Sequence, residues 1–297
     1  MNRLIPFVLI LSLLVACNQS DRKAGADTTT SSGDNTPPLI SYTVMKELPH
    51  DTSAYTEGFL FHDGQLYEST GTDNNMPDDR LSRFGIVDTT TGKIQTKVEI
   101  DRKKYFGEGI IFLKGKVYQL TYTTKIGFTY DAKTFKKLSE FTFPSKEGWG
   151  MTTNGAQLIM SDGTSNITFL DPDSSTPVEV KIRFSDGDSM VKTLNSLRLV
   201  KVLGVTDNNG PVSNINELEL INGYFYANQW QTNYILKIDT SSGKVVGKLD
   251  LESIVREESN KFPGSEVLNG IAYDSASGKI YITGKLWPNI FEIKFPL

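Results

Sequence analysis

The stretch that decides the fold runs from Asn214 to Val245, NINELELINGYFYANQWQTNYILKIDTSSGKV. Two runs rich in Ile, Leu, Tyr and Phe flank Asn222-Gly223, a pair favoured in tight hairpins because both central positions take positive φ. Asp239 to Lys244 marks a second turn, an Asp followed by small polar residues and Gly-Lys, after which the apolar pattern resumes. The same turns recur outward along the chain. Asp63-Gly64 splits FLFHDGQLYEST (Phe59–Thr70), Lys114-Gly115 separates Phe112 from Val117, and Asn154-Gly155 precedes Gln157–Met160. The Asp-to-Gly-Lys type returns at Asp88–Lys93 and Asp274–Lys279. Helical periodicity is nearly absent; only Leu251–Asn260 reads as a short helix.

Aligning the unit starts gives TEGFLF at 56, GEGIIF at 107, GWGMTT at 148, NELELI at 216 and NGIAYD at 269, with spacings of 51, 41, 68 and 53 residues. Repeats of about 40 to 50 residues, each of about four short strands, are the pattern of a β-propeller. The 259 residues from Leu39 to Leu297 divide into five such units. We therefore expect an all-β, five-bladed β-propeller, with an open β-sandwich as the weaker alternative. The long third interval places an insertion between about Ser175 and Ser196. The last unit carries only three strands, Ile271–Tyr273, Ile280–Gly284 and Ile290–Phe295, so Ser41–Leu48 is expected to supply the fourth and close the ring.

Composition limits the function. Lys and Arg number 31 against 35 Asp and Glu, a net charge of -4, which argues against a nucleic-acid partner because such proteins concentrate cations to neutralise phosphates. One cysteine, Cys17, rules out an intramolecular disulfide framework and a Cys-based zinc site. Two histidines, His50 and His62, supply poorly for a Ser-His-Asp or Cys-His nucleophile; His62 reads as surface and His50 as part of a turn. Asp171–Ser175 and Asp239–Gly243 lack the ligand spacing of an EF-hand and read as turns.

Met1-Asn2-Arg3 followed by the apolar run Leu4–Val15 reads as a signal peptide, too short to span a bilayer. Leu14-Val15-Ala16-Cys17 resembles the lipobox of bacterial lipoproteins, which implies lipidation at Cys17. The expected organisation is a leader over 1–16, a lipidated cysteine and flexible tether over 17–38, and a catalytic domain over 39–297. A lipid-anchored monomer at the bacterial cell envelope follows, on the periplasmic or outer-membrane face.

In a propeller the first strand of each blade lines the central channel, so the five unit starts converge. They carry Tyr55, Glu57, Phe106, Glu108, Trp149, Asn216, Glu217 and Asn269, where plain blade packing favours small apolar residues. A carboxyl buried among aromatics has its pKa raised toward the range useful for acid-base catalysis, and Glu108 is the leading candidate. For any single glutamate the competing reading is a hydrogen-bond partner tying neighbouring blades together.

The segments YTEGFLFHDGQLYESTG, FGEGIIF, GWGMTTNGAQLIMSDG, NINELELINGYFYANQWQTNYILKIDTSSGKV and VLNGIAYDSASGKIYITGKLWPNIFEIKF resemble the plant-type glutamine cyclotransferases, or glutaminyl cyclases, and their bacterial relatives. The resemblance covers about Tyr42 to Phe295 and implies a five-bladed propeller that converts N-terminal glutamine of peptides to pyroglutamate with loss of ammonia, without cofactor or catalytic metal. Carried over, Glu108 of FGEG is the acid-base residue, while Asn216 of NELE and Lys285 of TGKLWP hold and polarise the substrate amide. Tyr55, Glu57, Phe106, Tyr122, Trp149, Trp230 and Asn269 are implied as substrate-binding. The chain departs from the family where Tyr55 and Glu57 replace Phe and Gln, and where Tyr122 replaces a channel tryptophan. Glu57 is expected to titrate with Glu108 and to set the acidic limb of the pH profile, unless a cation such as Lys285 neutralises it. The rival function is a non-catalytic surface propeller that binds peptide or glycan.

Overall fold

Three of the tight turns adopt left-handed backbone at both central residues: φ is 46° and 78° at Asp63 and Gly64, 51° and 74° at Lys114 and Gly115, and 48° and 83° at Asn222 and Gly223. This type I′ twist matches the twist of the strands it joins. At Asn154 the side chain does the work instead, its Oδ1 accepting from the backbone N–H of Ala156 and Gln157 at 3.0 and 2.8 Å. The computed structural model describes residues 36–297 apart from residue 185. The leader, Cys17 and nearly all of the expected tether lie outside the described residues.

The described chain is all-β with a single helix. β1 (Thr43–Pro49) comes first, and its partner lies at the other end of the chain. β2 (Thr56–His62), β3 (Gln65–Thr70), β4 (Arg83–Val87) and β5 (Ile94–Glu99) form one antiparallel sheet in chain order. β6 (Gly107–Leu113), β7 (Lys116–Thr121), β8 (Ile126–Asp131) and β9 (Lys137–Thr142) form a second such meander, and β10 (Met151–Thr153), β11 (Leu158–Ser161), β12 (Asn166–Arg183) and β13 (Ser189–Gly204) a third. These last two merge into one eight-stranded sheet through a short parallel contact, Asn195 beside Phe141 and Ser196 beside Thr142. The small pair β14 (Thr206–Asp207) and β15 (Gly210–Pro211) leads to β16 (Ile215–Ile221), β17 (Tyr224–Gln229), β18 (Tyr234–Asp239) and β19 (Val245–Asp250). Helix α1 (Glu252–Lys261) then precedes β20 (Leu268–Asp274), β21 (Lys279–Gly284) and β22 (Asn289–Lys294).

β1 pairs antiparallel with β22, Leu48 opposite Ile290, so the N-terminal strand completes the last sheet as expected. The insertion is the outer part of the β12–β13 hairpin, from Ser175 opposite Leu197 to Arg183 opposite Ser189. Its Ile182, Leu194 and Leu197 are buried in the core of the preceding sheet, which explains both its length and the merging of the two sheets.

The first strands β2, β6, β10, β16 and β20 pack each on the next, and β20 packs back on β2. Glycines permit this approach. A Cβ on Gly109 would stand 2.6 Å from the Trp149 carbonyl oxygen, and one on Gly150 would stand 2.5 Å from that of Asn216. Farther out, aromatic pairs join neighbouring sheets: Tyr67 with Phe112 at 4.7 Å, Phe169 with Phe225 at 6.0 Å and Phe61 with Tyr281 at 6.1 Å.

The two histidines depart from their sequence reading. His50 is buried, its Nε2 3.0 Å from Glu68 Oε1 and its Nδ1 2.7 Å from the Trp287 carbonyl, so it joins sheets instead of decorating a turn. Burial pulls its pKa down, but the Glu68 carboxylate beside it more than offsets this and the net shift is upward. His62 is half-buried, stacked on Phe112 with centroids 4.0 Å apart.

Candidate active site

Residues from the starts of four first strands meet in one cavity of about 220 Å³, which holds Glu57, Glu108 and Asn216 together with Trp149, just ahead of β10, and Lys285 from the turn after β21. The polypeptide fixes each by its backbone. Ser69 Oγ on β3 donates to the Glu108 carbonyl at 2.6 Å, and Ser161 Oγ on β11 donates to that of Asn216 at 2.7 Å. Thus a second-strand serine of one sheet grips the catalytic-strand backbone of the next.

The charged groups form a chain. Lys285 Nζ donates to Glu57 Oε1 at 2.6 Å, both side chains being almost wholly buried, and the same ammonium lies over the Tyr55 ring at 4.4 Å from its centroid. Asn269 Nδ2 donates to the Thr56 carbonyl at 2.8 Å and to Glu57 Oε2 at 3.4 Å. Glu57 in turn interacts with the Glu108 carboxyl beside it in the same cavity. Burial pushes Glu108 well above the ordinary carboxylate range, and the Glu57 charge pushes it further, against the pull of Lys285. Burial raises Glu57 as well, and Lys285 and Glu108 offset only part of that rise, so its net shift is also upward. Both carboxyls are thereby biased toward holding a proton, Glu108 the more strongly.

The walls are aromatic. Tyr55 meets Phe106 edge-on at 6.1 Å, Phe106 meets Tyr122 at 6.0 Å, and Trp149 meets Trp230 edge-on at 5.5 Å. Two of these rings rest on glycines: a Cβ at Gly71 would fall 1.9 Å from Phe106, and one at Gly163 would fall 2.5 Å from Trp149. Carboxylates hold the polar ends. Trp149 Nε1 donates to Glu147 Oε2 at 2.9 Å, while burial raises the pKa of the Tyr122 and Tyr55 hydroxyls and the nearby charges of Glu147 and of Glu57 and Glu266, respectively, raise them further.

Of the ten residues expected in the site, nine line this cavity: Tyr55, Glu57, Phe106, Glu108, Tyr122, Trp149, Asn216, Trp230 and Lys285. Asn269 does not. It lies behind Glu57 as its support, because its side chain turns toward the Thr56 carbonyl. Lys285 is paired, not a free cation. Glu217 also stays out of the cavity; it accepts from the backbone N–H of Ile271 at 2.7 Å and of Phe59 at 3.4 Å, which is the tie between sheets that the competing reading assigned to a lone glutamate. Asn216 Oδ1 is buried with no hydrogen-bond partner. The loop from Asp73 to Arg80, polar and containing Pro77, reads from the sequence as an exposed loop at the channel mouth, and it supplies Asp73 and Met76 to the wall. Sequence reasoning missed Glu147 and Glu266 behind the wall, since their segments carry no strand pattern. Among the described residues no group of three or more His, Cys, Asp or Glu is arranged to hold a metal ion.

The fold and site define an all-β protein whose buried carboxyl pair, beside a buried lysine, is enclosed by aromatic rings. The family model for glutamine cyclotransferase matches residues 10–203 and 178–295. The glutaminyl-peptide cyclotransferase of Arabidopsis thaliana is 34% identical over 253 residues, which cover 84% of this chain and 70% of that protein. The crystal structure of Myxococcus xanthus glutaminyl cyclase superposes with a TM-score of 0.70 at 31% identity, covering 88% of this chain and 98% of that one. The chain belongs to the glutamine cyclotransferase family.

Proposed function

We propose that this chain is a glutaminyl-peptide cyclotransferase, an acyltransferase that closes the N-terminal glutamine of peptides and proteins to pyroglutamate and releases ammonia. The observation that carries the mechanism is the buried pair of Glu57 and Glu108 lining one cavity beside Lys285. The substrate's own α-amine attacks its side-chain carbonyl carbon. Closing a five-membered ring within one molecule spares the enzyme a nucleophile. A new C–N bond forms, the attacking nitrogen gives a proton to the carboxyl pair, and Glu108 gives its proton to the departing nitrogen as the old C–N bond breaks. The pair ends as it began. Lys285 and the Asn216 side-chain N–H hold and polarise the amide as its oxygen gains negative charge, while the Asn216 Oδ1, which has no partner, accepts from a substrate N–H. The free amine titrates near 7.7 to 8, so a useful fraction is already nucleophilic at neutral pH.

Phe106, Trp149, Trp230, Tyr55 and Tyr122 enclose the glutamine stem and exclude water. Retention of Glu108, Asn216 and Lys285 in one cavity favours catalysis over a surface propeller that only binds peptide or glycan. The five four-stranded units, with first strands in mutual contact, support a five-bladed β-propeller over residues 39–297. The apolar leader and Leu14-Val15-Ala16-Cys17 support a lipid anchor at the bacterial cell envelope, with residues 17–38 as tether. Incubating the protein with a short Gln-initiated peptide and measuring ammonia release tests the activity. Stoichiometric ammonia with the matching mass loss is expected; binding of the peptide without ammonia would favour the non-catalytic alternative.

A further inference from the structure

Arg102 lies in the connection between β5 and β6, yet its guanidinium is spent entirely on another loop. Nη1 donates to the carbonyls of Pro77 and Arg80 at 3.2 and 3.1 Å, and Nη2 donates to those of Asp73 and Met76 at 2.5 and 2.8 Å. Asp78 adds an ion pair at 3.7 Å. One planar, always-charged group thus gathers four carbonyls of the loop between β3 and β4, a geometry that a lysine cannot reproduce. That loop supplies the cavity with Asp73 and Met76.

The cavity has a depth gradient. Glu57, Glu108, Asn216 and Lys285 are buried at its base, whereas Asp73, Met76 and Tyr122 are partly exposed at its mouth. A peptide whose first residue reacts at the base must leave past the mouth, so its second residue passes the loop. At the base Glu57 is paired with Lys285, and burial favours the neutral form of Glu108. Asp73, whose Oδ1 accepts from the Asn75 backbone N–H at 2.8 Å, is the lining carboxylate at the mouth, and among the described residues it forms no ion pair with a Lys or Arg side chain.

Resting on the cyclotransferase reading, we propose that Arg102 is a positioning residue that fixes the Asp73–Arg80 loop as a subsite for the peptide residue following the N-terminal glutamine, with Asp73 selecting a cationic side chain there.

The test compares kcat and KM for Gln-Lys, Gln-Ala and Gln-Glu peptides and for glutamine amide, which has no second residue, in the wild type and in Asp73→Asn, Arg102→Lys and Arg102→Met. In the wild type, kcat/KM is expected to rank Gln-Lys above Gln-Ala above Gln-Glu, each step being about three- to fivefold as for a partly exposed charge pair. Asp73→Asn should flatten the ranking. Both Arg102 variants should raise KM for all three peptides while leaving kcat on glutamine amide near the wild-type value, and limited proteolysis should cut them, but not the wild type, between residues 73 and 80. A flat wild-type ranking, or one that Asp73→Asn leaves unchanged, overturns the selection. An unchanged peptide KM in a proteolysed loop, or an equal loss on glutamine amide and peptides, overturns the positioning role. Absence of cyclisation by the wild type on every substrate would instead reject the activity, so the two failures are distinct.

Discussion

Glu57 stands where the family resemblance implies glutamine, and its partners change what it does. Its charge adds to the burial that raises the Glu108 pKa, while Lys285 at 2.6 Å offsets part of the rise that burial gives Glu57 itself. The expected shift of the acidic limb on removing Glu57 therefore no longer follows, because that limb belongs to the substrate amine, which titrates at about 7.7 to 8. The basic limb reports loss of the Glu108 proton. Glu57→Gln removes a like charge and frees Lys285, both of which lower the Glu108 pKa, so the basic limb of kcat/KM should move to lower pH. An unmoved basic limb would mean that Glu57 does not hold that proton in place. Lys285→Met should lower kcat more than it raises KM, since the cation helps most as charge develops on the amide oxygen; weakened binding at unchanged kcat would make Lys285 an anchor alone. These roles were partly legible: Glu108 and Glu57 sit at strand starts whose repeat is visible in the sequence, and Lys285 came from the TGKLWP resemblance. The pairing of Lys285 with Glu57 was not, because it spans 228 positions of sequence and depends on how the last unit turns back on the first.

At the scale of elements, the glycine of each EG or WG start is a contact requirement. Alanine at Gly150 would place Cβ 2.5 Å from the Asn216 carbonyl oxygen and 2.6 Å from Glu217 Cα. Parting β10 from β16 should cost about 1 to 3 kcal/mol and displace Asn216. Gly150→Ala is thus expected to lower both the denaturation midpoint and kcat, and calorimetry with steady-state kinetics checks it. The His50–Glu68 pair joins β3 to the last sheet through the Trp287 carbonyl. The folded His50 pKa is raised above the ordinary value of 6.5, so its stabilisation is full below about pH 6.5 and is lost as pH rises through the folded value. The Tm difference between wild type and His50→Gln should shrink with rising pH across that window; a constant or growing difference contradicts the pairing. The turn grammar made the strands readable, since Asp63-Gly64 and Asn222-Gly223 act locally. His50 was unreadable, since nothing near it in sequence marks a buried partner 18 residues away.

For the whole molecule, the pairing of β1 with β22 joins the two ends of the described chain and covers what is otherwise an open sheet edge. Deleting residues 36–49 should expose the β22 ladder and give a protein that aggregates and melts earlier. Light scattering during a thermal ramp reads this, and an unchanged, monodisperse melt would show that closure contributes little. The five units and the N-terminal closing strand were visible from spacing and from the missing fourth strand. The extended β12–β13 hairpin was visible only as surplus length, because its packing partner is the preceding sheet. All of this architecture brings Glu108, buried, into one cavity with Glu57, Asn216 and Lys285. The most direct measurement is single-turnover release of ammonia from a Gln-initiated peptide by the full chain and by Glu108→Gln, with circular dichroism showing the same fold. A loss on the order of 10² to 10⁴ in rate is predicted, and near-normal ammonia release by Glu108→Gln would contradict the account.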